Sequence, residues 1–472
     1  MNMANLTFHE RVSDALANPA AHQAVGRGAR KFTANRAQAV ANFPQMDALR
    51  DRARLIRART VSKLDVFLAE FADNVEANGG CVFWAQNAAD ANDYVVKLAG
   101  AGDVRQVVKS KSMVTEEIEL NHALEAAGVQ VVESDLGEFI IQLAGEKPSH
   151  IIAPVLHKTR AQVGEIFQEK LNTPYTDDPF ALNDIARAHL RDIFLSADMG
   201  ISGVNFGVAE SGTLSLVTNE GNGRFCTTTP RIHVALMGME RLVPTLADLA
   251  TMLPVLEISA TGQGLTVYNN LITGPRRPGE PDGPEELHVV ILDNGRSDAL
   301  ATEVAEILYC IRCGACMNIC PVYRSIGGHA YGSVYPGPLG SVVTPALMGL
   351  DQWHQLPHAS TLCGACKDIC PVRIDIPRLL LQLRDVSSRA DHSPAWLKTG
   401  MRIYGTIAQR PGLFRLGMRI GSVATRLLAK KGWLNTLPPP LNGWTDHRAF
   451  HALAKKSFRQ LWTERKTTEH PL

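Results

Sequence analysis

Seven of the nine cysteines in this 472-residue chain lie between Cys310 and Cys370, in two runs of one pattern. The first reads Cys310-x2-Cys313-x2-Cys316-x3-Cys320-Pro321, and the second Cys363-x2-Cys366-x3-Cys370-Pro371. Three thiolates two residues apart on a tight loop reach three corners of one iron–sulfur cube, while the fourth ligates a neighbouring cluster. The spacing therefore predicts one cluster on Cys310, Cys313, Cys316 and Cys370, and a second on Cys320, Cys363 and Cys366. Paired C-x2-C also holds zinc, but a four-cysteine run closing in proline is far from a zinc-finger spacing.

The second run is one cysteine short, and Ser360 stands where the missing ligand belongs. Three readings stay open for cluster two. It is a three-iron cluster, a four-iron cluster with Ser360 or another oxygen or nitrogen ligand, or a four-iron cluster with an open iron. A serine-ligated corner is weaker than a thiolate one, because iron–sulfur sites prefer soft donors. A corner open to a small molecule allows Lewis-acid chemistry. The expected cofactors are thus [4Fe-4S] for cluster one and [4Fe-4S] or [3Fe-4S] for cluster two. Interlocked clusters suit single-electron transfer and staple the fold around them.

Composition supports this reading. With 45% hydrophobic and 20% charged residues the chain is not disordered. No run of 18 uncharged apolar residues marks a membrane span. The start, MNMANLTFHERVSDAL, lacks an apolar signal core, so a cytoplasmic location is expected. There clustered thiols serve metals rather than disulfides. The isolated Cys81 and Cys226 are expected to pack as small hydrophobes. The net charge of +1 hides an asymmetry, since residues 376–472 carry 17 basic and 5 acidic side chains. A basic tail on an acidic body points to an anionic partner surface, protein or lipid, with peripheral contact on the inner face of the membrane as one form of it. No base-stacking motif accompanies the charge, and nucleic acid is not an expected partner.

Periodicity divides the chain into an N-terminal helical region (1–77), an α/β domain (78–297), a two-cluster ferredoxin-like domain (298–389) and a basic helical tail (390–472). Leu49, Ile56, Leu64, Phe67 and Phe71 recur at helical spacing in the first. In the second, apolar runs at 129–132, 151–156, 213–218, 232–237 and 287–292 predict strands of a mainly parallel sheet. Segments 92–98, 116–127 and 182–194 predict covering helices, and 274–286 a loop. Residues 327–342 are rich in turn formers. In the tail, Arg415, Arg419 and Arg426 share a helix face, Pro438-Pro439-Pro440 is a break, and Phe450, Leu453, Leu461 and Trp462 mark another amphipathic helix. Such helices pack on their own protein or dock on a partner or membrane surface.

The chain shows no G-x-G-x-x-G at a strand–helix junction and no P-loop, which favours a subunit passing electrons between partners. The α/β domain does hold Ala209-Glu210-Ser211-Gly212-Thr213 and Thr218-Asn219-Glu220-Gly221-Asn222-Gly223-Arg224. Its glycines allow turns that present N–H groups to an anion, Arg224 offers a donor fork, and Glu210 is a weak candidate nucleophile or base. The plainer reading has Glu210 capping a turn and the asparagines making Asx turns. Lys109, Lys111, His150, His157 and Lys158 fall at predicted strand ends and are candidates for lining the same cleft, though histidines there are more often hydrogen-bonded core residues.

Several segments together resemble one family. VKSKSMVTEE (108–117), ESDLGEF (133–139), GVAESGTLSLVTNEGNGR (207–224), the seven cysteines and the W-T-D-H-R…SFRQLW tail (444–462) are similar to lactate utilization protein B. These are iron–sulfur subunits encoded beside two partner subunits in bacterial L-lactate oxidation systems. The resemblance implies an α/β domain with the fold of the sugar-phosphate isomerase and CoA-transferase superfamily, in which Glu210 matches the transferase nucleophile, although the following Ser-Gly-Thr departs from the transferase Asn-Gly. It implies a cysteine region like the helical ferredoxin domain of succinate and fumarate oxidoreductases, where one thiol is also missing. Here the vacancy falls at Ser360 and Cys363 is kept. The implied role is a non-catalytic electron-transfer subunit of an L-lactate dehydrogenase complex. It would work with a cysteine-rich subunit and a smaller α/β subunit, passing electrons from L-lactate oxidation to the respiratory chain. A glycolate-type complex, or an acyl-transfer enzyme using Glu210, are the alternatives.

Overall fold

The computed structural model describes residues 6–439, 441–445 and 448–469. Residues 1–5, Pro440 of the triple-proline break, and Asp446 and His447 of the tail motif lie outside the described residues. The residues through Ala390 form one compact unit and those from Asp391 onward a second.

Ten strands build the first unit. They are β1 Cys81–Ala85, β2 Gln106–Lys109, β3 Gln130–Glu133, β4 Met199–Gly203, β5 Phe206–Val208, β6 Thr213–Thr218, β7 Ile232–Gly238, β8 Leu242–Val243, β9 Tyr268–Ile272 and β10 Glu286–Leu292. Six make a wholly parallel sheet of order β1-β10-β7-β4-β2-β3. Its central strands read as unbroken apolar runs because helices cover both faces. On β7, Val234 and Leu236 face one core with Val290 and Leu292 of β10. Their alternates Ala235, Met237, Val289 and Ile291 face another, as a period of two dictates.

The helix Leu64–Ala77 seals that second face. Leu64, Phe67, Leu68, Phe71 and Val75 recur at three- and four-residue steps, so one stripe is apolar and buried. Phe71 is fully buried, and side chains of this kind contribute about 1.5–3 kcal/mol each. The remaining four strands form a smaller sheet of order β8-β5-β6-β9. Segment 213–218 is thus a strand as expected, but it pairs antiparallel with β5 and β9 rather than joining the parallel sheet.

Three other expectations are corrected. Residues 151–156 form no strand. The His150 ring accepts the backbone N–H groups of Ile152 and Ala153, and Ser149 N–H bonds to the Pro154 carbonyl. These local bonds consume the donors a ladder would need, and Pro154 has none. The helix expected over 116–127 breaks into Met113–Glu117 and Leu120–Ala126 around Glu119, whose φ is +53°. Cys81 is exposed on β1 rather than packed, whereas Cys226 is fully buried.

Around the cysteines short helices alternate with turns, and residues 327–342 include the start of the helix Gly337–Met348. One hydrophobic core joins this region to the N-terminal helices and the small sheet, through Val25, Ala53, Ile56, Val208, Val243, Ile307, Met317 and Val343.

The second unit contains the helices Ala395–Ala408, Pro411–Leu428 and Phe458–Glu469, and the antiparallel pair β11 Trp433–Leu434 and β12 Phe450–His451. Phe450 is therefore in a strand, and Leu453 precedes the last helix instead of belonging to it. That helix begins after Ser457, whose hydroxyl and N–H pair reciprocally with Gln460 as a capping box. No helix among the described residues is long and apolar enough to cross a membrane.

Candidate iron–sulfur site

The two cysteine runs fold alike, fifty residues apart. In the first, Cys310 is followed by Arg312 at φ +59°, Gly314 at φ +73° and the short helix Ala315–Ile319. In the second, Ser360 is followed by Leu362 at φ +55°, Gly364 at φ +87° and the helix Ala365–Ile369. The left-handed glycines start both helices, a conformation that a Cβ disfavours. Each helix ends on an extended cysteine, Cys320 or Cys370, and proline follows.

The likeness extends to hydrogen bonds. The Arg312 N–H points at the Cys310 sulfur at 3.3 Å, and the Leu362 N–H donates to the Ser360 hydroxyl at 3.1 Å. Ser360 thus holds the local geometry of Cys310, with oxygen in place of sulfur. The amides of Tyr323 and Ile374 point at the sulfurs of Cys320 and Cys370, at 3.5 and 3.3 Å.

The thiols act on one another within and across the two runs. Burial pushes the Cys313 thiol up to about 12, and the neighbouring Cys310 and Cys370 add to the rise. Burial raises Cys316 well above its ordinary value, reinforced by Cys310, Cys313, Cys366 and Cys370. In the second set burial pushes Cys366 up to about 12, with Cys320 and Cys363 contributing. Cys363 is exposed, and the Ala365 N–H lowers its thiol. Thiols crowded in this way ionise together only beside strong positive charge, which bound iron supplies.

The spacing of the sulfurs also bears on which metal fits. No three cysteine sulfurs among the described residues lie within 4.8 Å of one another. A single tetrahedral zinc would need about 3.8 Å between them. The donor set, seven thiols on two repeated loops, fits iron–sulfur clusters.

Buried arginines gather around the residues assigned to the first ligand set, from both runs. Arg57 is 1% exposed and donates to the carbonyls of Leu242, Leu308 and Tyr309, at 2.6, 2.8 and 3.2 Å, and to that of Glu240. Burial brings it down to about 10. Arg50 donates to the Cys370 carbonyl at 2.8 Å, and Arg241 to that of Cys310 at 3.3 Å. Arg312 lies 4.8 Å from the Tyr335 ring centroid and 3.6 Å from Glu240. Glu240 also pairs with Arg296 at 2.7 Å. Burial opposes the Glu240 charge, but Arg296, Arg312 and Arg241 hold its carboxyl at about 2.

The other candidates have varied partners, and Lys111 acts on both His150 and Glu220. Glu210 is exposed and accepts the Leu246 N–H at 2.6 Å, at the start of the helix Leu246–Ala260. That is the work of a helix-end acceptor. Arg224 lies over the Tyr268 ring at 5.7 Å. Gly223 is a packing residue, since a Cβ there would meet Thr218 at 2.8 Å. Lys109 is fully buried, bonded to Thr115, Glu116 and Glu133 at 3.0, 2.8 and 2.8 Å. Lys111 is partly buried, and its ammonium finds no hydrogen-bond partner among the described residues. His150 donates from Nε2 to Asn318, between Cys316 and Cys320, at 3.0 Å. His157 and Lys158 both reach Glu146.

Comparison with known proteins accounts for the whole chain. Residues 68–292 match the LUD domain, 306–374 the 4Fe-4S dicluster domain, and 384–467 the C-terminal domain of lactate utilisation protein B. Lactate utilization protein B of Anoxybacillus flavithermus is 45% identical over 98% of each chain. The chain belongs to the lactate utilization protein B family. The Bacillus licheniformis member is 44% identical over 99% of this chain and 98% of its own. A relative from Escherichia coli, named uncharacterized electron transport protein YkgF, is 42% identical over 99% and 98%. A DUF162 family crystal structure from Deinococcus radiodurans aligns over 49% of this chain and 98% of its own at 13% identity, with a TM-score of 0.28, too low to inform the fold.

In this member of the lactate utilization protein B family, sequence reading identifies the cysteines and misses the arginines. Arg36, Arg50 and Arg57 lie on the N-terminal helices, hundreds of residues from the loop they serve. The available signal is an excess of arginine on helices whose apolar face is otherwise ordinary.

Proposed function

We propose that the chain is the iron–sulfur electron-transfer subunit of a system that oxidises L-lactate to pyruvate, passing electrons between a partner subunit and the respiratory chain. The observation that carries this is full-length kinship with lactate utilization protein B, joined to seven thiols on two repeated loops. The electron transport name of one relative is in keeping with it.

The ligand sets are Cys310, Cys313, Cys316 and Cys370 for a [4Fe-4S] cluster, and Cys320, Cys363 and Cys366 for a second, [4Fe-4S] or [3Fe-4S]. Cys310 and Cys370 act on Cys313, and Cys320 and Cys363 act on Cys366, in keeping with the sets, while Cys316 feels thiols of both. The Cys310-like geometry of Ser360 supports an oxygen ligand at the fourth corner of cluster two. Bound clusters supply one-electron chemistry. The residues of this chain would hold them, with backbone amides aimed at Cys310, Cys320 and Cys370 and buried arginines near the first set.

In the same reading the α/β portion has the CoA-transferase and sugar-phosphate-isomerase fold, and the cysteine region is a helical ferredoxin domain. A cysteine-rich subunit and a smaller α/β subunit are the partners. The second unit carries exposed Arg402, Arg415, Arg419 and Arg426 among exposed Met401, Leu416, Ile420 and Leu427, a mixture suited to an anionic membrane surface.

Iron and acid-labile sulfide analysis with low-temperature EPR, on protein purified without oxygen, tests the assignment. About eight irons with two interacting reduced clusters match two four-iron centres, and about seven with an oxidised three-iron signal match an empty corner at Ser360. Zinc without sulfide overturns the reading. So does failure of L-lactate to reduce the clusters once the partner subunits are supplied.

A further inference from the structure

A second group of metal-binding side chains stands apart from the cysteines. Glu146 follows the helix Leu136–Ala144, His157 lies in the turn-rich segment that replaces the expected strand, and His329 opens the 3-10 turn His329–Tyr331. One ligand atom from each lies within 4.8 Å of the other two. The imidazole rings meet edge to face, with centroids 4.6 Å apart.

The hydrogen bonds behind these side chains orient their potential ligand atoms. His157 Nδ1 is 2.7 Å from the Ser149 hydroxyl, and that hydroxyl donates its only proton to the Pro154 carbonyl at 3.0 Å. With that proton on Pro154, Nδ1 donates to the hydroxyl and Nε2 is the nitrogen turned towards Glu146. Nε2 faces Glu146 Oε2 at 2.8 Å, a contact that either a proton or a metal ion can join. His329 Nε2 lies 2.7 Å from the Lys147 carbonyl, which can only accept. Its Nδ1 is then the lone-pair nitrogen. Lys158 holds the other oxygen of Glu146.

Three potential ligand atoms thus converge, each side chain anchored by a second bond on its outer side. A proton on His157 satisfies one pair. A divalent ion satisfies all three, and orientation of each imidazole by a bond from its other nitrogen is the usual support of a metal site. We propose that Glu146, His157 and His329 form a binding site for a first-row divalent ion of the zinc class, separate from the cysteine loops. Two nitrogens and one oxygen suit such an ion better than magnesium or calcium. Ligand bonds of about 2.0–2.2 Å need side-chain shifts of roughly an ångström from these positions. Glu146 also lines a cavity of about 340 Å³ together with Glu116, Glu133 and Glu138.

The test uses the full chain with its clusters intact, stripped of loose metal and titrated with zinc alone by calorimetry. One zinc per chain is expected. His157→Gln and His329→Gln should each weaken binding at least tenfold while iron and sulfide contents stay unchanged. Zinc-edge X-ray absorption of the unsubstituted protein gives a second readout that does not depend on the variants folding. Nitrogen and oxygen scatterers near 2.0–2.1 Å support the site, whereas sulfur near 2.3 Å places the ion on thiols and overturns it. Absence of binding, or binding unaltered in both variants, overturns it as well.

Discussion

The two cysteine loops have the same backbone and different surroundings. Both run through a left-handed residue, a left-handed glycine, a one-turn helix and a proline. Yet Arg312 of the first loop is 6% exposed and enclosed by Tyr335, Glu240 and Arg241, while Cys363 of the second is exposed. Five guanidinium groups, those of Arg36, Arg50, Arg57, Arg241 and Arg312, act on Cys310, Cys313 or Cys370. Near the second set Arg324 acts on Cys320, and the charge of Asp368 works against ionisation of Cys363. Local sequence thus sets the shape of a ligand loop, and remote sequence sets the field around it.

The largest effect expected is from breaking the first loop. Cys316→Ala removes a ligand from the buried set and should cut iron content by about half, with a loss of soluble protein, because such clusters hold their fold together. Cys370→Ala should do more, since that residue belongs to the second run and serves the first set. Iron content unaltered in Cys316→Ala would show the division of thiols to be wrong. Ser360→Cys tests the likeness from the other side. It should add about one iron if the corner is empty, and in either case bring the EPR of cluster two closer to that of a four-cysteine centre. An unchanged spectrum would mean that Ser360 shares only the backbone of Cys310.

A smaller effect tests the field. Reduction adds negative charge, so buried arginines favour the reduced form and raise the potential of the cluster they surround. Arg312→Gln should lower the potential of cluster one by some tens of millivolts and leave cluster two in place. An EPR-monitored redox titration reads both. Equal shifts in the two clusters would erase the proposed difference.

These contrasts mark what was legible in the sequence. The cysteine spacing, the strands β6, β7 and β10 and the helix over 182–194 could be read because each depends on its own residues. Segment 151–156 was misread because its apolar composition says nothing of the His150 ring that takes its amides. Cys81 looked like a core residue because the sequence does not show that β1 is the edge of the sheet. Strands β2 and β4 went unread, having only four and five residues, with Lys109 and Gly200 among them. Glu210 drew attention by its glycines, yet its carboxylate meets a helix start thirty-six residues on. The arginine cage is the extreme case, since Arg50 reaches Cys370 across 320 residues.

The smallest effect concerns the bond that ties the misread segment to the first loop. His150 Nε2 donates to Asn318, and Nδ1 accepts two backbone amides at 2.9 and 3.1 Å, so no nitrogen is left for a second proton. Burial is the largest cause of a fall to about 4, with Lys111 also lowering it and Asn318 opposing. Unfolded histidine protonates near 6.5. Between those values the unfolded chain binds the extra proton, so stability rises with pH and is lost on acidification from about 6.5 towards 4. The full loss for this one group is about 3 kcal/mol, and roughly 1–2 kcal/mol of it falls by pH 5.5. His233, also buried and held at about 4, adds a similar slope from within the parallel sheet. The two separate in where the damage shows. Because His150 braces the helix between Cys316 and Cys320, one ligand of each set, acidification should broaden the EPR of both clusters before the chain melts. His150→Gln should flatten the pH dependence of the melting temperature while lowering it at pH 7. Both spectra intact until the chain melts, with the slope unaltered in His150→Gln, would assign the acid sensitivity to the sheet and detach His150 from the cysteine helix.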